Sequence, residues 1–405
     1  MATNAAADRI CPSLATRDVR CRFESLMGTS SKTRDADRHT VVGGSATLYR
    51  LYDVGYEISL TRASKLLPQP TPPQPRPRRG EAAALVTPKP PLTVDLGSRM
   101  VQVDGAALEA RMSAAVFDFG VVSLRLQLCA PPELSWSDFV RFGASLHGGV
   151  PLRAICDPDL RQLLQVLAPA VERQAIAPVT EDYMVFRLAS LRGAAAEPVT
   201  PPRLSSDALA GLLLNEAREL SRPAKRELLP HRFAYTTHDY AALTWESALV
   251  IEPDPEDQDV EYVLEFANAQ LLELRVFDAV LDAELPRMYD RIAQVRRTPF
   301  ALFRPYRSLL NQLQALVADT TEIVERVENA LKVTDDVYLA RVYSAALQIF
   351  RGDAWRRGID RKLGIIRDTY TMLNAESQAA RGEVMELAII LLIIGEILLT
   401  IFGRH

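Results

Sequence analysis

The sequence predicts an α+β head domain, then a long α-helical hairpin or coiled-coil region, and finally a C-terminal transmembrane helix. Three observations predict it. Strand-forming runs and single amphipathic helices mix between residues 41 and 251 without regular βαβ repetition, which favours α+β over a doubly wound sheet. Apolar residues then recur at 4-3 spacing from Val260 to Met288 and again from Leu309 to Ala330, the pattern of a coiled coil or helical hairpin. The chain closes on a run of Leu and Ile approaching the length of a bilayer core. The domains expected are a disordered arm at 1–40, an α+β domain at 41–251, a helical region at 252–381 and a transmembrane helix at 384–403.

In the head, Thr47–Leu60 is rich in β-formers, and Val122, Leu124, Leu126 and Leu128 alternate as in a half-buried strand. Trp136–Leu146 reads as a helix opened by Ser135, and Asp159–Ala168 and Ser206–Leu220 as two more. Tyr183–Leu188 is a strand, and Phe233–Ile251 holds one or two further strands. Residues 68–91 carry nine prolines, so this insert is an extended linker rather than packed structure.

The helical region carries a seam at Leu264, Leu271, Leu274, Leu281, Leu285, Leu309, Leu313, Leu316, Ile323 and Val327, in three or four antiparallel segments with Tyr338–Phe350 and Trp355–Leu373. Pro286 is placed to kink or stop the first of them. Glu252–Asp290 holds twelve acids and two bases, whereas Arg351–Arg367 holds six bases and two acids. The acidic helix is therefore expected to dock on the basic one through Arg356, Arg357, Arg361 and Lys362.

The membrane segment is expected at Leu387, Ile389, Ile390, Leu391, Leu392, Ile393, Ile394, Glu396, Ile397, Leu398, Leu399, Ile401 and Phe402. Its 17 residues from Leu387 to Gly403 span roughly 25 Å as a helix. Glu396 opposes insertion, and the same all-round apolar pattern also suits the centre of an oligomer. Insertion gives a single-pass anchor with the body in the cytoplasm.

The 405 residues carry 47 Lys+Arg against 51 Asp+Glu, a net charge of -4. This excludes a strongly basic nucleic-acid binder, although the first hundred residues are locally basic. Cys11, Cys21, Cys129 and Cys156 have no C-x-x-C spacing and read as inert thiols. No phosphate-binding loop, dinucleotide fingerprint, nucleophile elbow or H-E-x-x-H is present. His231, His238, Asp239 and Asp182 form the only acid–base or metal cluster worth naming, and their spacing is unspecific. No catalytic, cofactor-binding or metal residue is therefore assigned.

The stretch Glu383-Val-Met-Glu-Leu-Ala-Ile-Ile-Leu-Leu-Ile-Ile-Gly-Glu396 resembles the closing signature of the family named "required for meiotic nuclear division". Asp336, Tyr338, Leu339, Ala340, Arg341, Tyr343, Trp355, Lys362, Leu363 and Tyr370 resemble its preceding helical stretch, and Asp118–Val122 its phenylalanine-glycine-valine strand. Ser123-Leu124-Arg125 departs from the aromatic end of that strand. The resemblance, to a distant bacterial-type member, implies an α+β head, a helical stalk, a membrane segment and no established catalytic residues. A mitochondrial member supports translation at the inner membrane. The expectation is a membrane-tethered, non-enzymatic scaffold, homo-oligomeric through its stalk, needing no cofactor. The rival readings are a translation- or ribosome-associated factor and an enzyme with its site in the head.

Overall fold

The structure, a computed structural model, describes residues 39–70, 89–193, 197–199, 204–216, 218, 220–296 and 336–402, with a few positions between 311 and 321. Most of the N-terminal arm and of the Pro-rich insert lies outside the described residues. The chain divides into two compact units, Met1–Glu273 with Ala330–Gly352, and Leu274–Asn329 with Asp353–His405.

The described elements run, in chain order, β1 (Thr40–Val42), β2 (Ser45–Asp53), β3 (Glu57–Ile58), α1 (Leu60–Leu66), β4 (Leu92–Val103), β5 (Ala106–Val116), β6 (Val121–Cys129) and β7 (Leu134–Ser135). There follow α2 (Trp136–Gly149), α3 (Leu152–Leu167), β8 (Val171–Glu172), β9 (Thr180–Leu188), β10 (Ser190–Arg192), α4 (Ser206–Leu213) and α5 (Arg222–Leu228). The remainder is β11 (His231–Phe233), β12 (Tyr240–Leu243), β13 (Ser247–Ile251), α6 (Asp259–Arg296), α7 (Val337–Ile349) and α8 (Gly352–Phe402).

The first unit is built on an eight-stranded sheet ordered β11-β12-β13-β9-β2-β6-β5-β4. Its pairs are antiparallel except β13 with β9. Alternation sorts its side chains onto two faces. Leu48, Leu124, Leu126, Phe186 and Leu249 share one core with Phe139, Phe142, Leu163 and Leu212 of the helices. On the other face, Arg125 bonds Glu265, Arg187 pairs with Glu261, and the Phe117 and Phe266 rings lie 6.0 Å apart. Helices thus cover both faces across the middle of the sheet, while β4 and β5 leave residues such as Met100 exposed at its edge, and β12 and β13 are buried along their whole length. Burial on both faces and the parallel pair correct the α+β expectation to a mixed α/β layer structure.

Local chemistry explains where the elements start and stop. Ser135 opens α2 by accepting the Asp138 N–H at 3.1 Å, as its residue type predicts. The Thr47–Leu60 run is broken after Asp53. There Val54 N–H donates to Gly120 C=O at 2.9 Å, which closes the β5–β6 turn against this strand end. Gly120 takes φ +93°, and a Cβ there would meet Gly55 O at 1.8 Å. Helix α3 begins at Leu152, seven residues earlier than the sequence suggests, because Pro158 is accommodated inside it. Helix α4 ends at Leu213, short of Leu220, and Asn215 then takes a positive φ.

In the second unit, Leu274, Leu281, Met288 and Ile292 of α6 form one buried cluster with Ile359, Leu363, Ile366 and Leu373 of α8. Arg275 lies over the Trp355 ring, a Cβ at Gly358 would meet Asp278, and Lys362 reaches both Asp278 and Asp282. The partner numbers rise together, so these two stretches run parallel. The segment expected to follow α6 in an antiparallel hairpin, Leu309–Ala330, lies outside the described residues apart from a few positions. Pro286 does not stop α6, because it sits on the exposed side, where the carbonyl it leaves unbonded meets water. Leu264 and Leu271 lie in the first unit, buried in its interior. Leu309, Leu313, Leu316, Ile323 and Val327 lie outside the described residues.

Lys362 Nζ stands 2.7 Å from Asp278 and 2.6 Å from Asp282. Arg356 lies 3.9 Å from Asp353 on its own helix, and Arg357 and Arg361 are exposed. Replacing Lys362 with alanine is expected to lower stability by about 1 kcal/mol, read as a shift in the denaturation midpoint. An unchanged midpoint would show this trio to be energetically idle.

The C-terminal transmembrane helix is corrected. Among the described residues, no helix is long and apolar enough to cross a membrane. Glu386 and Glu396 interrupt the apolar run, and the nine positions between them span about 14 Å, against a hydrocarbon core of about 30 Å. The membrane partner and the single-pass anchor with a cytoplasmic body rested on that run and fall with it. Ile389–Ile394 and Ile397 are instead exposed on α8. The side chains of Leu387, Leu398, Leu399, Ile401 and Phe402 lie outside the described residues.

Candidate functional site

Two features of the chain offer themselves to a partner. One is a cavity of about 810 Å³ in the first unit, where β2, β9 and the β12–β13 turn meet the start of α3. The other is the exposed apolar surface of α8.

The cavity is organised by Arg50. On β2, Leu48, Arg50 and Tyr52 share the face that α2 and α3 cover, so a cation interrupts an otherwise apolar row. Arg50 Nη1 donates to both Asp182 oxygens at 2.9 and 2.7 Å, and Nη2 donates to Thr180 Oγ1 at 3.2 Å. Its Nε donates to Tyr52 Oη at 3.0 Å, and that hydroxyl donates to Asp157 Oδ1 at 2.8 Å. Arg153 Nε reaches the other Asp157 oxygen at 3.4 Å. The chain of bonds fixes one wall. Burial raises the Asp182 carboxyl above its usual value, against the opposing pull of Arg50.

Other groups complete the lining. Arg161 lies two turns beyond Arg153 on α3. Trp245 and Glu246 sit side by side in the β12–β13 turn and border the same cavity. The pKa of His147 is lowered by burial, which keeps its ring neutral at pH 7, and its Nε2 lies 3.3 Å from Leu212 O. Cys156 is a free buried thiol, pushed up to about 12 chiefly by burial, which makes it a poor nucleophile. Cys129 is disulfide-bonded, which corrects the expectation of four inert thiols.

The cluster suggested from sequence is not assembled. Asp182 lines this cavity, whereas His231 lines a separate groove of about 500 Å³ with Phe233, Asp336 and Arg341. His238 and Asp239 belong to a turn. There Asp239 accepts the Tyr235 N–H, and the His238 N–H donates to Thr236 Oγ1. Among the described residues no group of three or more His, Cys, Asp or Glu side chains could hold a metal ion. Sequence reasoning passed over Arg50, Arg153, Arg161, Trp245 and Glu246. The signal that was available is the arginine on the apolar face of a strand.

The family described as "Uncharacterized protein MJ0711, N-terminal domain" matches residues 43–258, just over half of the chain. The chain belongs to that family. Every residue lining the 810 Å³ cavity falls within the matched segment, and α7 and α8 fall outside it. The chain is 27% identical to the uncharacterized protein MJ0711 of Methanocaldococcus jannaschii over 193 residues. That alignment covers 48% of this chain and 58% of the archaeal protein. It therefore spans little more than half the length of that MJ0711 relative.

Proposed function

We propose that this chain is a self-assembling interaction protein, joined to further copies of itself through the apolar end of α8. One observation carries the reading. Ile389–Ile394 are six consecutive side chains, each between 47% and 73% exposed. At 100° per residue they cover the whole circumference of the helix, not a stripe. An all-round apolar helix is stable in water only when other helices surround it. With Met385 and Ile397, also more than half exposed, the apolar area is of the order of the ~800 Å² that each partner buries in a standard interface. A single chain rarely leaves so large a contiguous patch open. The head then supplies the surfaces by which the assembly meets other proteins.

The residues from Asp336 to Tyr370 quoted above also support placing the helical part with the required-for-meiotic-nuclear-division proteins, as a distant, bacterial-type relative. The MJ0711 match ends at residue 258, before that helical part begins.

Chemical cross-linking of the full chain tests the assembly. Bands at multiples of the chain mass are expected, and they should disappear when Leu391 and Ile394 are both replaced by lysine. Bands that survive this double substitution would place the contact elsewhere and overturn the reading.

A further inference from the structure

We infer that the Arg50 cavity binds a mononucleotide, with guanine as the preferred base. The volume of about 810 Å³ lies within the range of small-molecule sites, roughly 300–1,000 Å³. Its floor is apolar, formed by Leu48, Leu146 and Met184. Its polar groups divide into those already satisfied and those that are not. Arg50, Asp182, Tyr52 and Asp157 spend their bonding capacity on one another and act as a fixed wall. Arg161 and Glu246 form no side-chain hydrogen bond or ion pair among the described residues. Arg153 has only the long contact to Asp157, and its side chain is 83% exposed.

The groups that still face the cavity specify a ligand. Arg153 and Arg161 project from one helix on the same side and offer planar forks that suit phosphate oxygens. Trp245 presents a large ring that is nearly half exposed; Arg351 lies over it at 5.9 Å and Phe350 meets it edge-on at 6.2 Å, so a planar base would stack on the part of the ring left open. Glu246 follows Trp245 in the turn and lines the same cavity, where its charge acts on the His147 ring. Guanine carries N1–H and N2–H side by side on its Watson–Crick edge, matching both carboxylate oxygens. Adenine offers only its N6–H donor there, with an acceptor next to it. Neutral His147 adds a ring nitrogen in the same cavity. An anion with no base leaves Trp245 and Glu246 unused, and an uncharged base leaves the two arginines unused.

The full chain titrated with GMP, AMP, guanosine and inorganic phosphate tests this, with tryptophan fluorescence and thermal shift as readouts. Saturable quenching by GMP is expected, with AMP and guanosine each weaker. Arg161→Glu should weaken GMP at least about tenfold, as loss of one charge-assisted contact does. Glu246→Gln should reduce the preference for GMP over AMP. Trp245→Phe should remove the fluorescence signal while a thermal shift persists. Arg161 and Glu246 are surface positions, so each variant is expected to melt near the unsubstituted chain. Absence of quenching and of thermal shift with GMP at about 5 mM, a concentration that detects even weak binding, would overturn the proposal. Binding unaffected by both substitutions would overturn it equally.

Discussion

Replacing Glu265 with alanine is expected to cost about 3–5 kcal/mol of stability. Glu265 is 3% exposed and takes both Arg125 Nε, at 2.8 Å, and Arg125 Nη2, at 2.5 Å. The substitution leaves the guanidinium charge buried without its counter-ion, and that is the expensive state. Arg187 with Glu261 forms a second such pair on the same face. Tyr49 lies within the field of both pairs, and burial together with Glu265 raises its phenol well above the ordinary value, so it remains neutral. Urea denaturation of Glu265→Ala measures the loss. A double substitution, Arg125→Met with Glu265→Leu, should recover most of it, because two apolar side chains carry no desolvation penalty. If the double variant is as unstable as the single one, the pair does more than neutralise itself.

Gly120→Ala is the second large effect, expected at about 3–4 kcal/mol. Two causes act together. The residue sits at φ +93°, where an L side chain is strained, and the added Cβ would lie 1.8 Å from the Gly55 carbonyl oxygen. The obstacle is backbone, so a rotamer change cannot relieve it. The hydrogen bond from Val54 N–H to Gly120 O holds the two segments together at that point. Thermal unfolding reads the loss. A melting temperature within a degree or two of the unsubstituted chain would mean that the turn relaxes without penalty.

How much of this was legible in the sequence varied with the kind of signal. The Ser135 cap and the alternation along β6 act through nearest neighbours, and both were readable. The 4-3 spacing from Val260 to Met288 correctly marks a helix, but spacing does not identify what a helix packs against. Leu264 and Leu271 are buried in the first unit, and Leu274 and Leu281 in the second. Glu261, Glu265, Asn268 and Gln270 are buried on that same helix, a polar pattern foreign to an ordinary coiled-coil seam. The parallel course of α6 and α8 depends on connections distant in sequence, which periodicity does not encode. The membrane reading summed the hydropathy of the final run and gave too little weight to its two interrupting carboxylates.

Arg50 shows the same limit for the cavity. A cation between Leu48 and Tyr52 on a covered face of β2 signals a buried polar partner, but the sequence does not say which. Its partner Asp182, and Asp157, which accepts from Tyr52, come from β9 and α3, more than a hundred residues away. Trp245 and Glu246 are ordinary turn residues until the fold sets them beside that wall.

Light scattering on the full chain across a concentration series tests the assembly claim most directly. A mass several times 44.9 kDa is predicted for the unsubstituted protein, falling to that of one chain when Leu391 and Ile394 are both lysine. A single-chain mass for the unsubstituted protein throughout the series would contradict the account.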